Sequence, residues 1–212
     1  MGGWSLSLEV ISIPPNTGDA PKALIVMLHG WGANSQDLAP LSSLLNLPNY
    51  QFLFPNAPFP HPYSSTGRAW YELMNERSGE GLTESRKMLL DWLQSLEQTT
   101  NVPLSRTILS GFSQGGAMTL DIGLTLPFAG LVSMSGYLHP NLTFVGKNSF
   151  PPTLIIHGRN DEVVPLAAAI NAKETLESMG VTLQYHEFNM GHEIQPPTIE
   201  LVRNFVTQII PD

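Results

Sequence analysis

The 212-residue sequence contains no cysteine. Disulfides, thiolate nucleophiles and cysteine-based metal sites are therefore excluded, and a cytoplasmic location is expected. Basic residues are scarce: 10 lysines and arginines stand against 18 acidic residues, for a formal net charge of −8. The charge is spread along the chain with no basic face to hold a phosphate backbone, so no nucleic-acid partner is expected. No apolar run approaches the roughly 20 residues that cross a bilayer, and stable membrane insertion is not expected either. Residues 1–6 carry neither the basic region nor the apolar core of a secretory leader. Internal repeats and low-complexity tracts are also missing, and a chain of this length is expected to fold as one domain, 1–212, around one large core.

The most informative stretch present runs from Ile108 to Leu120. Ile108 and Leu109 favour a strand, and the small and apolar residues after Gly115 favour a helix over 116–126. Between them Gly111-Phe112-Ser113-Gln114-Gly115 spells Gly-x-Ser-x-Gly. The pentapeptide alone is a weak signal; its placement between a strand and a helix is what the chemistry requires. A serine at the apex of so tight a turn needs strained dihedrals and small residues two positions either side. The helix then points its free N–H groups at the serine hydroxyl, where an anion is stabilised.

Strands alternating with helices fill the rest. Trp4, Leu6, Leu8 and Val10 alternate with polar residues as a half-buried strand. The run 23–28 is continuously apolar, as in a central strand, and ends in His29-Gly30-Trp31-Gly32. A helix is predicted from Ser35, capped by that serine, with Leu38, Leu41, Leu44 and Leu45 on its buried face. A short strand, 51–54, leads into an aperiodic segment, 55–81, whose Phe59, Tyr63, Trp70 and Tyr71 argue for an ordered functional loop. A helix over 82–96 buries Leu89, Trp92, Leu93 and Leu96. Strands at 129–134, 153–157 and 181–188, a helix at 165–179 closed by Gly180, and a final helix bearing Val202, Phe205 and Val206 complete the pattern. The pattern is that of an α/β protein with a mostly parallel sheet.

Ser113 needs a base, and there are six histidines. His29 and His157 end central strands and read as structural or cleft-lining. His61 lies in the loop, His139 precedes a proline on the apparent surface, and His186 sits in an alternating strand. His192 follows a strand in a loop able to hang over a sheet edge, where a neutral imidazole can shuttle the serine proton. Asp161, after the 153–157 strand, is the carboxylate best placed to orient it, with its neighbour Glu162 the chief competitor. Asp121 reads as an ordinary helix residue. The order Ser113, Asp161, His192 is that of the α/β-hydrolase triad.

The chain resembles the serine carboxylesterase and acyl-protein thioesterase family of α/β-hydrolases, also called the phospholipase/carboxylesterase family. The matching motifs are Leu28-His29-Gly30-Trp31-Gly32, Phe54-Pro55-Asn56-Ala57-Pro58, Ala69-Trp70-Tyr71, Gly111 to Gly116, His157 to Pro165 and Met190-Gly191-His192. The resemblance implies an α/β-hydrolase fold: a mostly parallel central sheet, an antiparallel N-terminal strand, helices on both faces and a cover loop at about 56–81. It implies an oxyanion hole built from the main-chain N–H groups of Trp31 and Gln114. A leucine is commoner at the position of Trp31, and the larger ring is expected to reshape the acyl pocket. No cofactor and no metal are implied.

The expected activity is hydrolysis of carboxylic esters with short to medium acyl chains. Trp31, Phe59, Tyr63, Trp70 and Met74 are candidate substrate contacts, each with the plainer role of pinning the loop, and Arg68 is a candidate for an anionic head group or a surface salt bridge. The expected partner is a small-molecule ester or thioester, with the protein a monomer or homodimer. The same triad would serve a lysophospholipase or an acyl-protein thioesterase acting on long chains, or run a perhydrolase or haloperoxidase side reaction. An inactive hydrolase-fold binding protein would lack a triad member or block the oxyanion turn, and neither is seen. A dienelactone-type enzyme would carry cysteine at the position of Ser113.

Overall fold

Strands that read as continuous apolar runs lie in the middle of the sheet, and the alternating ones at its edges. In the computed structural model, which describes residues 8–74, 78–140 and 149–211, the elements follow one another as strands β1 (Val10–Ile13) and β2 (Ala23–Leu28), helices α1 (Ser35–Leu38) and α2 (Leu41–Leu45), and strand β3 (Tyr50–Pro55). The short strands β4 (Phe59–Pro60) and β5 (Arg68–Ala69), helix α3 (Leu82–Thr100), strand β6 (Thr107–Phe112) and helix α4 (Gln114–Gly123) come next. Strands β7 (Gly130–Met134) and β8 (Thr153–Gly158), helix α5 (Leu166–Ser178), strand β9 (Leu183–Phe188) and helix α6 (Pro196–Ile209) finish the chain.

One seven-stranded sheet has the order β1-β3-β2-β6-β7-β8-β9, parallel throughout except for β1, which runs antiparallel to β3. Successive residues of β2 serve opposite faces, as pleating demands. Leu24, Val26 and Leu28 join a core with Leu89, Leu93 and Leu96 of α3, Met118 of α4 and Leu176 of α5. Ala23, Ile25 and Met27 join another with Leu38, Leu45 and the α6 residues Val202, Phe205 and Val206. Helices therefore cover both faces. Every residue of α4 is buried, because the sheet covers one side and α3 crosses the other.

Several expectations shift. The first described strand is Val10–Ile13, antiparallel to β3 with Val10 opposite Pro55, where β3 ends; of the strand expected from Trp4 to Val10, residues 4–7 fall outside the described residues. Helix α1 is capped by Asn34, not Ser35: Asn34 Oδ1 accepts the Gln36 N–H and Asp37 Oδ2 accepts the Asn34 N–H, each at 2.8 Å. Pro40 breaks the expected single helix in two, and the changed register turns Leu44 outward, 53% exposed. Trp92, expected in the core, is half-buried against it. Helix α4 begins at Gln114 and ends at Gly123, so Ser113 itself is its N-cap.

Candidate active site

Ser113 caps α4 with φ 55° and ψ −119°, a strained left-handed conformation for a residue with a side chain. Its main-chain N–H donates to the Met134 carbonyl at 2.9 Å, which holds the apex against the end of β7. Glycine is required on either side. A Cβ at Gly111 would stand 2.2 Å from the Gly115 carbonyl oxygen, and one at Gly115 would stand 2.1 Å from that of Leu28.

His192, in the turn before α6, places Nδ1 2.7 Å from Asp161 Oδ2. The ionised carboxylate accepts this bond, so Nδ1 carries the proton and Nε2 is left as the acceptor. Asp161 Oδ1 accepts the Val163 and Val164 N–H groups at 2.9 and 2.8 Å. Burial alone would raise this carboxyl; the His192 bond and the main-chain donors outweigh it and hold it below the ordinary carboxylate value. Glu162 is exposed and takes no part. The His192 ring lies against that of Phe112, the residue before Ser113, with centroids 4.7 Å apart. His192 thus sits at the elbow.

The turn after β2 lies on the other side of Ser113: a Cβ at Gly30 would be 3.2 Å from the Ser113 Cβ. His29 organises this turn. Its Nδ1–H donates to the Gly30 carbonyl at 2.8 Å and its Nε2 accepts the Ala57 N–H at 3.0 Å. With both ring nitrogens committed and no exposed surface, His29 is pushed down to about 4, chiefly by burial. The main-chain N–H groups of Trp31 and Gln114 have no hydrogen-bond partner among the described residues. Gln114 opens α4, so no carbonyl lies one turn behind it. His157 is structural, donating Nε2–H to the Val164 carbonyl at 2.8 Å.

The described residues of the 56–81 segment are sorted differently from expectation. Trp70 is fully buried and donates its indole N–H to the His29 carbonyl at 3.0 Å. With no free surface it is withdrawn from the substrate contacts and belongs to the core. Tyr63 is 70% exposed, with its ring edge-on to that of His61 at 5.9 Å, and Met74 is 43% exposed. Phe59 is half-buried against Gly81 and borders cavities of about 250 and 230 Å³, neither lined by Ser113, Asp161 or His192. The Trp31 ring meets His61 edge-on at 4.1 Å. Arg68 donates Nε–H and Nη2–H to the Ala57 and Pro58 carbonyls at 2.9 and 3.1 Å and also borders the larger of these cavities.

Two features escaped the sequence reading. The Gln114 side chain is buried and accepts the Trp70 N–H at 2.9 Å while donating to the Tyr71 carbonyl at 2.8 Å, clamping the Trp70–Tyr71 pair to the elbow. His139, expected at the surface, is buried with Nδ1 2.7 Å from Asp121 Oδ2 and Nε2 2.7 Å from the Tyr71 hydroxyl. Neither leaves a periodicity, though a charged residue, Asp121, inside a mostly small-and-apolar helix was a signal for the second. Among the described residues, no group of three or more His, Asp or Glu side chains is arranged to hold a metal ion, and no helix is long and apolar enough to cross a membrane.

Parallel strands, a strained serine between strand and helix, and a carboxylate-bound histidine at the same sheet edge define an α/β-hydrolase. The chain belongs to the phospholipase/carboxylesterase family, whose sequence profile matches residues 11–210. It is 28% identical over 207 residues to acyl-protein thioesterase 1 of Saccharomyces cerevisiae, covering 86% of this chain and 90% of that protein. The corresponding Neurospora crassa thioesterase is 27% identical over 215 residues, 89% of this chain and 87% of that one. Among solved structures, esterase PE8 is 31% identical with a TM-score of 0.88, covering 96% of this chain and all of that one. The carboxylesterase from Mesorhizobium loti, 17% identical, shares the fold with a TM-score of 0.83 over 96% of each chain. The protein is thus a hydrolase of the carboxylesterase and acyl-protein thioesterase type.

Proposed function

We propose that the protein hydrolyses carboxylic esters of short to medium acyl chain through a Ser113–His192–Asp161 triad and an acyl-enzyme. The observation that carries this reading is the 2.7 Å contact between His192 Nδ1 and Asp161 beside the strained Ser113 elbow. His192 Nε2 takes the Ser113 proton as Oγ bonds to the acyl carbon. The carbonyl oxygen becomes an anion facing the Trp31 and Gln114 N–H groups, each worth about 10²–10³ in turnover in such sites. The C–O or C–S bond then breaks, and His192 returns its proton to the leaving alkoxide or thiolate. Water, deprotonated by His192, attacks the acyl-enzyme and releases the carboxylate and free Ser113. Asp161 keeps Nδ1 protonated and stabilises the imidazolium.

A second reading, thioester cleavage on long acyl chains, is favoured by the names of the Saccharomyces and Neurospora relatives. Initial rates on p-nitrophenyl esters from acetate to palmitate, beside palmitoyl-CoA and a lysophospholipid, separate the two. A maximum at short chains supports the esterase; a maximum at palmitate or on the thioester replaces it with the second reading. No serine-dependent rate on any of them leaves a binding protein.

A further inference from the structure

A second histidine–carboxylate pair lies outside the triad. Asp121 on α4 binds His139 Nδ1 at 2.7 Å and Arg86 Nε of α3 at 2.6 Å. His139 Nε2 meets the Tyr71 hydroxyl at 2.7 Å, and that hydroxyl meets the hydroxyl of Tyr137. Asp121, His139 and Tyr71 are each buried, and the acyl-transfer steps use none of them.

The direction of these bonds follows from what each group can donate. The Asp121 carboxylate only accepts, so His139 donates to it from Nδ1 and its Nε2 accepts from Tyr71. The Tyr71 oxygen is then free to accept from Tyr137. Burial, and after it the neighbouring Tyr137, raises the Tyr71 phenol well above its ordinary range. Tyr71 is therefore a neutral donor and not an activated nucleophile.

What the chain of bonds holds in place is the cover-loop pair Trp70–Tyr71. Gln114 grips this pair through its side-chain amide, with Oε1 on the Trp70 N–H and Nε2 on the Tyr71 carbonyl. The Trp70 indole N–H donates to the His29 carbonyl, in the turn that carries Trp31. One dipeptide thus braces both turns that bear the oxyanion N–H groups. Asp121 lies seven residues beyond Gln114 on α4, about two turns down the same face. Tyr71 spans these two points, with its carbonyl on Gln114 and its hydroxyl on the His139–Asp121 pair.

We propose that His139 is a positioning residue for the oxyanion hole: through Tyr71 it fixes the Trp70–Tyr71 pair, and through that pair it holds the Gln114 and Trp31 main-chain N–H groups on the developing oxyanion. The inference rests on the triad reading given above. It differs from a purely stabilising knot in one respect. Loosening Tyr71 weakens binding of the transition state and leaves ground-state binding unchanged.

The test compares Tyr71→Phe, His139→Leu and His139→Gln with wild type and Ser113→Ala on p-nitrophenyl butyrate and with butylboronic acid, whose boron takes Ser113 Oγ and becomes a tetrahedral anion facing the hole. Tyr71→Phe and His139→Leu should lower kcat about tenfold with KM within about twofold, and weaken the boronic acid by the same factor. Glutamine at 139 can accept the Tyr71 hydroxyl through Oε1, so His139→Gln should recover most of the rate. If His139→Leu does not fold, Tyr71→Phe, which loses a single oxygen, decides. Wild-type kcat in Tyr71→Phe, a kcat loss with unchanged boronic acid affinity, or His139→Gln as slow as a folded His139→Leu overturns the proposal. Full ester hydrolysis by Ser113→Ala would instead remove the triad reading, and this inference with it.

Discussion

The Asp161 carboxylate is held from both sides: Oδ2 lies 2.7 Å from His192 Nδ1, and Oδ1 accepts the Val163 and Val164 main-chain N–H groups at 2.9 and 2.8 Å. Asp161→Asn keeps the acceptor for the two main-chain donors and offers His192 an N–H in place of an oxygen. The imidazole then protonates on Nε2 and cannot take the serine proton. Turnover should fall by about 10³–10⁴ with the fold intact, checked by kcat beside circular dichroism. A fall of less than tenfold would mean that Asp161 does not orient the base.

His29 sets a pH dependence of stability. Its native value is about 4 against an ordinary 6.5, so between those limits the unfolded chain takes up a proton that the native protein refuses. The stability it contributes is complete above pH 6.5, declines as the pH falls from 6.5 to about 4, and totals about 3 kcal/mol. Urea unfolding at pH 7 and 4.5 should show most of that loss in wild type and a smaller loss in His29→Asn. Equal losses in both would locate the pH dependence elsewhere.

At Gly115 a methyl group would enter the Leu28 carbonyl, whereas at Gly180, φ +80°, nothing lies within 4 Å and only left-handed strain opposes it. Gly115→Ala should cost about 3 kcal/mol or more and Gly180→Ala about 1 kcal/mol. Thermal melts of the two variants compare these costs directly. A larger loss at Gly180 would contradict the elbow geometry.

Trp70→Ala removes a fully buried ring and should cost about 3–5 kcal/mol, whereas Tyr63→Ala, at a side chain 70% exposed, should change stability by less than about 0.5 kcal/mol. Denaturant midpoints measure both. Comparable losses would place Tyr63 in the core as well.

What the sequence made legible follows its local periodicities. The continuous apolar run 23–28 and the stripe Leu89, Leu93, Leu96 each report one element's own burial, and the structure has β2 and α3 there. Glycine spacing around Ser113 gave the elbow for the same reason, since the clash that forbids a side chain lies within the turn or the strand beside it. Caps and breaks were less legible: Asn34 and Ser35 are both good cap residues, and the bonds that Asn34 makes with Gln36 and Asp37 choose between them. Least legible were contacts between distant positions. Trp70 reads as a loop aromatic until the His29 carbonyl and Ser85 hydroxyl are seen to hold it inside, and His139 reads as a surface residue until Asp121 and Tyr71 bury it. No period links residues so far apart.

In the proposed mechanism Ser113 carries the acyl group. Wild type and Ser113→Ala mixed with p-nitrophenyl butyrate, quenched in acid within the first turnover, digested and analysed by mass spectrometry test it most directly. Expected are a stoichiometric burst of p-nitrophenol from wild type, a butyryl group on Ser113, and neither from Ser113→Ala. A butyryl group on another residue, or a burst that persists without the Ser113 hydroxyl, would contradict it.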